Sequence, residues 1–156
     1  SHMTKAQALV AIQFTLFGMM TITLLGFPPQ TIHPLLRLIG LGLAIAGPIF
    51  GIIAILEHAR SNATLPKVVP TPNASVPLVR SGLYSRIRHP IYTGVLMTVT
   101  GAALAHGHIV NLCVALILVI FFTFKSRYEE SLLRMNYPDY AAYSQESGRF
   151  LPRLRK

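Results

Sequence analysis

Apolar and polar residues follow one another along this chain in long blocks. Residues 6–27 contain no charged side chain and fit one membrane-spanning helix of about 20 residues, which the consecutive prolines at 28–29 end. Residues 38–56 form a second uncharged run, and charged side chains follow it. The pattern predicts a pair of transmembrane helices within residues 4–60.

The second half of the chain contains a longer apolar run. Residues 91–124 hold no Asp, Glu, Lys or Arg and exceed one helix, with a natural break at 105–111, "AHGHIVN". The two resulting spans of about 16 residues are short for a bilayer, which predicts a tight or tilted hairpin. The polar, aromatic residues 125–156 predict an interfacial helix interrupted at Pro138. The expected fold is therefore an all-α polytopic membrane bundle of about four transmembrane helices.

A glycine motif lies inside the second span. Gly47 and Gly51 are four residues apart and share one helix face, and Pro48 lies between them. Small residues at this spacing let a second helix approach closely in a membrane, and an interior proline favours a kink.

Composition supports the membrane assignment. Hydrophobic residues make up 52% of the chain and charged residues 12%, whereas soluble domains carry about 25% charged residues. Residues 1–3 are expected to be a tag remnant, and the first apolar run lacks the small-residue cleavage site of a signal peptide. Residues 61–156 are expected to form one integrated unit of a loop, the hairpin and a C-terminal catalytic segment.

The distribution of charge predicts the partner and the orientation. The net charge is +9, but the basic residues lie at the ends of apolar segments, where anionic lipid head groups would be. This favours a lipid bilayer over nucleic acid as the partner. The positive-inside tendency predicts that both termini and the 57–90 loop are cytoplasmic, so that this loop and the polar tail meet on one membrane face.

Two polar clusters are predicted to meet on that face. The first is "GLYSRIRHPIYTG", residues 82–94, whose side chains taken singly read as lipid and interface anchors. The second, "KSRYEESLL", contains Glu129 and Glu130, and adjacent carboxylates near a membrane boundary are costly without partners. Helical pairing of Lys125 with Glu129 and of Glu130 with Arg134 is the simpler explanation. Together the clusters suit a zwitterionic, nucleoside-like cofactor.

The order of these motifs resembles that of integral membrane methyltransferases. The segments "GLY" at 82–84, "RHPIYTG" at 88–94, the Glu129-Glu130 pair and "RFLP" at 149–152 are similar to the isoprenylcysteine carboxyl methyltransferases and their phospholipid methyltransferase relatives. The resemblance covers about residues 78–154. It implies S-adenosylmethionine as cofactor, bound at the cytoplasmic face, and a lipophilic acceptor that enters from the lipid.

The resemblance also implies roles for individual residues. Lys125 and Arg127 are both candidates to face the acceptor, and Glu130 or His89 could accept a proton from an amine acceptor. The residues that would contact the cofactor are Val76, Pro77, Leu78, Val79, Tyr84, His89, Pro90, Ile91, Tyr92 and Glu129.

Two departures from the family bear on the acceptor. Lys125 stands where relatives that methylate carboxylates carry Arg, and Lys does not reproduce the bidentate grip of Arg on a carboxylate. Glu146 stands where a basic residue is expected. These differences weaken the case for an isoprenylcysteine-type carboxylate and favour a lipid-like or small hydrophobic acceptor, such as a phospholipid amine, in a prokaryotic inner membrane.

Two other classes of function remain open from the sequence. Membrane steroid and sterol reductases share an "RHPxY" segment and use NADPH, but an acidic residue is expected soon after the glycine, where this chain continues Gly94-Val95-Leu96. A non-enzymatic membrane scaffold is the second alternative. His106 and His108 lack a third ligand in the sequence, so no metal site is expected.

Overall fold

The described part of the chain is built from helices. The computed structural model describes residues 3–62 and 77–154, and in these residues the only β-type pairing is an isolated bridge between Ile87 and Gly148. The helices are α1 (Lys5–Gly26), α2 (Pro34–Asn62), α3 (Pro90–His106), α4 (Ile109–Asn136) and α5 (Tyr140–Glu146), with a 3-10 turn at Gly82–Ser85. The predicted all-α architecture is confirmed.

The length and composition of the helices identify an integral membrane protein. Within the described ranges, 3 helices, α1, α2 and α4, are long and apolar enough to cross a membrane. The fourth apolar helix, α3, has 17 residues and is therefore about 25 Å long. The predicted membrane bundle is thus built from three helices of spanning length and one shorter helix.

Two helix boundaries differ from the sequence-based prediction. Helix α2 begins at Pro34 rather than at residue 38 and continues to Asn62, because proline is well suited to the first helical turn. The break in the hairpin is confined to two residues, Gly107, whose φ of 82° ends α3, and His108, whose side chain accepts a hydrogen bond from the Val110 N–H.

The predicted interfacial helix does not begin as a separate element after residue 124. Helix α4 continues without interruption to Asn136, so the first part of the predicted interfacial helix belongs to it. The appearance of charged side chains marks where the membrane ends, whereas Lys, Arg, Glu and Leu are all good helix formers. The expected interruption at Pro138 is confirmed, since it separates α4 from α5.

Helices α2 and α3 pack with their backbones in contact. A Cβ added at Gly47 would lie 2.6 Å from the Gly94 carbonyl oxygen, and one added at Gly101 would lie 2.5 Å from the Ala44 nitrogen. Only glycine permits this approach, so the predicted small-residue face is confirmed. Helix α2 continues through Pro48, which cannot donate a hydrogen bond to the Ala44 carbonyl.

The remaining helices pack around α4. Leu16 and Met20 of α1 and Leu96 of α3 join Leu118 and Phe122 of α4 in one buried apolar cluster. Helix α1 therefore packs mainly on α4, and α2 packs on α3.

The C-terminal segment folds back against the start of α3. The Tyr143 hydroxyl donates to the Tyr84 carbonyl oxygen at 2.6 Å, and the Thr93 hydroxyl donates to the Phe150 carbonyl oxygen at 2.6 Å. The Arg88 N–H donates to the Gly148 carbonyl oxygen at 2.8 Å. These bonds place residues 143–150 beside the segment that precedes α3, and they form one wall of the candidate site.

Candidate functional site

Glu130 is the centre of the polar cluster at this end of the bundle. Its side chain is 1% exposed, and it accepts hydrogen bonds from Arg88 Nε at 2.5 Å and from Arg149 Nη2 at 2.9 Å. His89 Nε2 lies 3.3 Å from the same carboxylate. A buried carboxylate needs such partners to offset its desolvation, and here they come from two separate segments of the chain.

Backbone pairing holds those two segments in register. The Gly148 N–H donates to the Arg86 carbonyl oxygen at 2.9 Å, and the His89 N–H donates to the Arg149 carbonyl oxygen at 3.0 Å. The Arg88 guanidinium also donates to the carbonyl oxygens of Ser144, at 2.9 Å, and of Ser147. Arg88 therefore joins the segment before α3, helix α4 and the end of α5.

Glu129 has a different environment from Glu130. Its side chain is 17% exposed, it accepts a hydrogen bond from the Tyr92 hydroxyl, and it lies 3.6 Å from His89 Nδ1. The rings of His89 and Tyr92 are nearly parallel, at 7°, with centroids 5.6 Å apart. The structure thus brings together three residues named from the sequence and leaves one carboxylate of the pair accessible.

Lys125 lies in the interior of the bundle. Its side chain is 1% exposed, its Nζ donates to Gln13 Oε1 of α1, and Nζ lies 5.2 Å from the centre of the Tyr92 ring. Helix α1 is thereby connected to the candidate site. Sequence reasoning missed Gln13, although an amide in the middle of an apolar span is a recognisable signal.

Arg127 lies on the other side of α4 from Lys125. It is exposed and lines a groove with residues of α1. The two candidates for the acceptor site are therefore separated, and only Lys125 is near Tyr92.

Tyr84 lies in a neighbouring apolar cluster with Ala54 and Val79. Burial, together with the nearby Tyr143 and Glu57, raises the pKa of Tyr84 above its ordinary value. Burial also raises the pKa of Tyr143 to about 12. Both hydroxyls are therefore protonated at neutral pH.

The other residues predicted to contact the cofactor have different positions. Pro90 is buried in the first turn of α3, and Ile91 packs partly against the Tyr84 cluster. Pro77 is exposed and Leu78 half-buried, and both precede the 3-10 turn. Val76 lies outside the described residues.

The end of α2 supports the 3-10 turn. Glu57 Oε2 accepts a hydrogen bond from the Leu83 N–H at 2.8 Å, and a Cβ at Gly82, whose φ is +60°, would meet the Glu57 carboxylate. This contact positions the turn that carries Tyr84.

Two arginines in the cluster received no role from the sequence. Arg88 and Arg149 both belong to motifs that carry the family resemblance, and both are partners of Glu130. Arg134, the expected helical partner of Glu130, instead lies 5.9 Å from the Tyr140 ring centre. A buried carboxylate needs cations around it to offset its desolvation. Which basic residues supply those cations depends on the fold.

The fold and the site define a small helical membrane protein with a buried ionic cluster at one end of its bundle. Residues 35–140 match the phospholipid methyltransferase family, so the chain belongs to that family and the resemblance noted from its motifs is confirmed. The match covers α2, α3 and α4 and leaves out α1 and Arg149.

One curated relative extends the comparison. Over 120 residues the chain is 29% identical to the cobalt-zinc-cadmium resistance protein CzcN of Cupriavidus metallidurans. The matched region covers 76% of this chain and 49% of that protein. The chain therefore spans about half the length of the curated relative it matches.

Proposed function

We propose that this protein is a membrane methyltransferase that uses S-adenosylmethionine and acts on a lipid-like or small hydrophobic acceptor. The observation that supports this most strongly is the ionic cluster around Glu129 and Glu130. It joins three segments that carry the methyltransferase motifs, at 88–94, 129–130 and 149–152. The first two of these segments lie within the region that matches the family.

The side chains at the cluster suit the chemistry of this cofactor. Glu129 is partly exposed and can accept hydrogen bonds from an ammonium group or from ribose hydroxyls, and the aromatic rings of His89 and Tyr92 lie beside it. The Arg149 side chain is 27% exposed, and a guanidinium group is suited to hold a carboxylate. The bound cofactor supplies a methyl group that its sulfonium has already activated.

Each residue then has a distinct task. Glu130 holds Arg88, His89 and Arg149 in place rather than acting as a base, because its ion-pair partners among the described residues are two arginines and a histidine. A carboxylate acceptor needs only a cation to position it, whereas an amine acceptor must also lose a proton. His89 is the group that can take that proton.

We assign the acceptor side of the site to Lys125 in preference to Arg127. Lys125 lies over Tyr92, whereas Arg127 faces outward on α4. We also propose that this end of the bundle faces the cytoplasm of a prokaryotic cell, because Arg80, Arg86, Arg88 and Arg149 lie there.

Calorimetry of the detergent-solubilised protein tests the cofactor. S-Adenosylhomocysteine should bind and NADPH should not. Glu129→Gln should weaken that binding at least about tenfold, the order of a lost charge-assisted hydrogen bond. Glu146→Gln, a change at an exposed carboxylate, is the matched control and should leave it unchanged. Binding of NADPH alone would favour a reductase, and binding of neither would favour a scaffold.

Labelling identifies the acceptor. Membrane extracts incubated with the protein and radiolabelled S-adenosylmethionine should yield a labelled lipophilic product, which is base-labile for a methyl ester and base-stable for an N-methyl group. Lys125→Gln should then lose turnover while it retains binding of S-adenosylhomocysteine. If Lys125→Gln keeps full turnover and Arg127→Gln loses it, the assignment of the acceptor side is wrong.

A further inference from the structure

We propose that the groove between α1 and α4 binds the head group of an anionic glycerophospholipid. The groove has a volume of ≈ 330 Å³. Its lining residues are Lys5, Leu9, Phe124, Arg127, Tyr128 and Ser131. This site lies on the outer face of α4, so the proposal is independent of methyl transfer.

The lining residues form one continuous face. On α4 they follow an i, i+3, i+4, i+7 pattern, and on α1 they are four apart, which places each set on one side of its helix. The two helices run in opposite directions, because Lys5 lies by Tyr128 whereas Phe17 lies by Phe122. The start of α1 and the last part of α4 therefore lie at the same end of the groove, and both carry polar residues there.

Depth along the groove matches the order of groups in a phospholipid. Lys5 and Arg127 lie near its polar end. Leu9 and Phe124 lie about one helical turn further into the bundle, or roughly 5 Å deeper. A phospholipid whose phosphate lies beside the cations would thus place its acyl chains along the apolar side chains. A soluble phosphate would leave those side chains uncovered.

The charges in the groove are available to an anion. The Lys5 ammonium lies 4.6 Å from the centre of the Tyr128 ring, which holds it at the rim. Arg127 is exposed. In residues 3–62 and 77–154, no carboxylate forms an ion pair with either side chain. A guanidinium fork with an ammonium group beside it is suited to a phosphodiester.

Titration with short-chain lipids tests this site. The detergent-solubilised protein should bind a short-chain phosphatidylglycerol more tightly than a phosphatidylcholine of the same chain length and more tightly than inorganic phosphate. Each basic residue near an anionic lipid contributes about fivefold in affinity, so the double variant Lys5→Gln with Arg127→Gln should weaken phosphatidylglycerol binding about 25-fold.

A second double variant separates a site from general attraction. Arg60→Gln with Arg86→Gln removes the same charge from exposed positions outside the groove and should change binding by less than about threefold, because the Debye length screens distant charges. Equal losses in the two double variants, or inorganic phosphate that binds as tightly as the lipid, would overturn the proposal. Circular dichroism verifies folding, and if the groove variant loses helicity, Arg127→Gln alone should still show about fivefold weakening.

Discussion

Glu130 is the residue that connects most of the candidate site. Its side chain is buried between two arginines and a histidine, which come from the segment before α3 and from the C-terminal segment. Its neighbour Glu129 contacts Tyr92 and is partly open to solvent. Two adjacent residues of the same type therefore have different environments, because successive positions on a helix point in different directions.

The position of Glu130 leads to a stability prediction. Glu130→Gln keeps the shape of the side chain but leaves the half-buried guanidinium groups of Arg88 and Arg149 without their buried counter-charge. Breaking one partner of a buried ion pair costs about 3–5 kcal/mol, and we expect a loss of this size in the free energy of unfolding, measured with the detergent-solubilised protein.

Glu146→Gln is the matched control for this variant. Glu146 is exposed at the same end of the protein, and surface substitutions usually change stability by less than about 0.5 kcal/mol. A loss below about 1 kcal/mol in Glu130→Gln would contradict a structural role for the cluster.

At the scale of elements, the α2–α3 contact depends on glycine. The Cβ of Gly47→Ala would lie 2.6 Å from the Gly94 carbonyl oxygen, so the helices would have to separate. Overpacking of this kind costs about 1–3 kcal/mol, which denaturant unfolding would detect. Gly42→Ala on the same helix is the control, since a Cβ there meets nothing within 4 Å, and it should stabilise the helix by up to about 1 kcal/mol. Equal effects of the two variants would be inconsistent with this packing.

The attachment of the C-terminal segment should weaken at alkaline pH. Folding raises the pKa of Tyr143 from 10.0 to about 12, mainly through burial, so the folded state holds this proton more tightly than the unfolded chain. The resulting stabilisation is complete below pH 10 and is lost as the pH rises through 12.

Tyr143→Phe tests this dependence. It removes the hydrogen bond to the Tyr84 carbonyl oxygen and should lower stability by about 1 kcal/mol at pH 7. Its unfolding free energy should also fall less steeply than that of the unchanged protein between pH 10 and 12. Identical pH profiles would show that the Tyr143 hydroxyl is not buried in the folded protein.

At the scale of the whole molecule, the hairpin of α3 and α4 runs between the two ends of the bundle. The ionic cluster lies at one end, and the turn at Gly107 lies at the other, beside the link between α1 and α2. The Gln30 N–H connects the two links by donating to the His106 carbonyl oxygen at 2.9 Å. The proposed orientation places the cluster in the cytoplasm.

Accessibility of single cysteines tests that orientation. In a Cys113→Ser background, Thr31→Cys should react with a membrane-impermeant maleimide in intact cells, and Ser85→Cys only after permeabilisation. Both positions are exposed, and the background variant without an added cysteine is the control. The reverse pattern would invert the proposed orientation, and reaction of both sites in intact cells would contradict the placement of the two ends on opposite faces.

Several features of this protein followed from the sequence alone because their causes are local. Long uncharged runs require helices in a membrane, paired prolines end α1, and Gly47 with Gly51 marks a face where backbones can meet. The ordered motifs at 82–94 and 129–130 also identified the family. The interfacial helix was predicted to begin too early because charged residues mark the membrane boundary while remaining compatible with helix.

Only the tertiary structure decided how the polar residues are divided. It buries Glu130 and leaves Glu129 accessible, it places Lys125 inside and Arg127 outside, and it brings Arg149 and Gln13 to the cluster. Burial and ion pairing depend on which element packs against which face, and those partners are distant in the chain. Local patterns could therefore name the chemical groups, whereas the packing of α1 and of the C-terminal segment determined their neighbours.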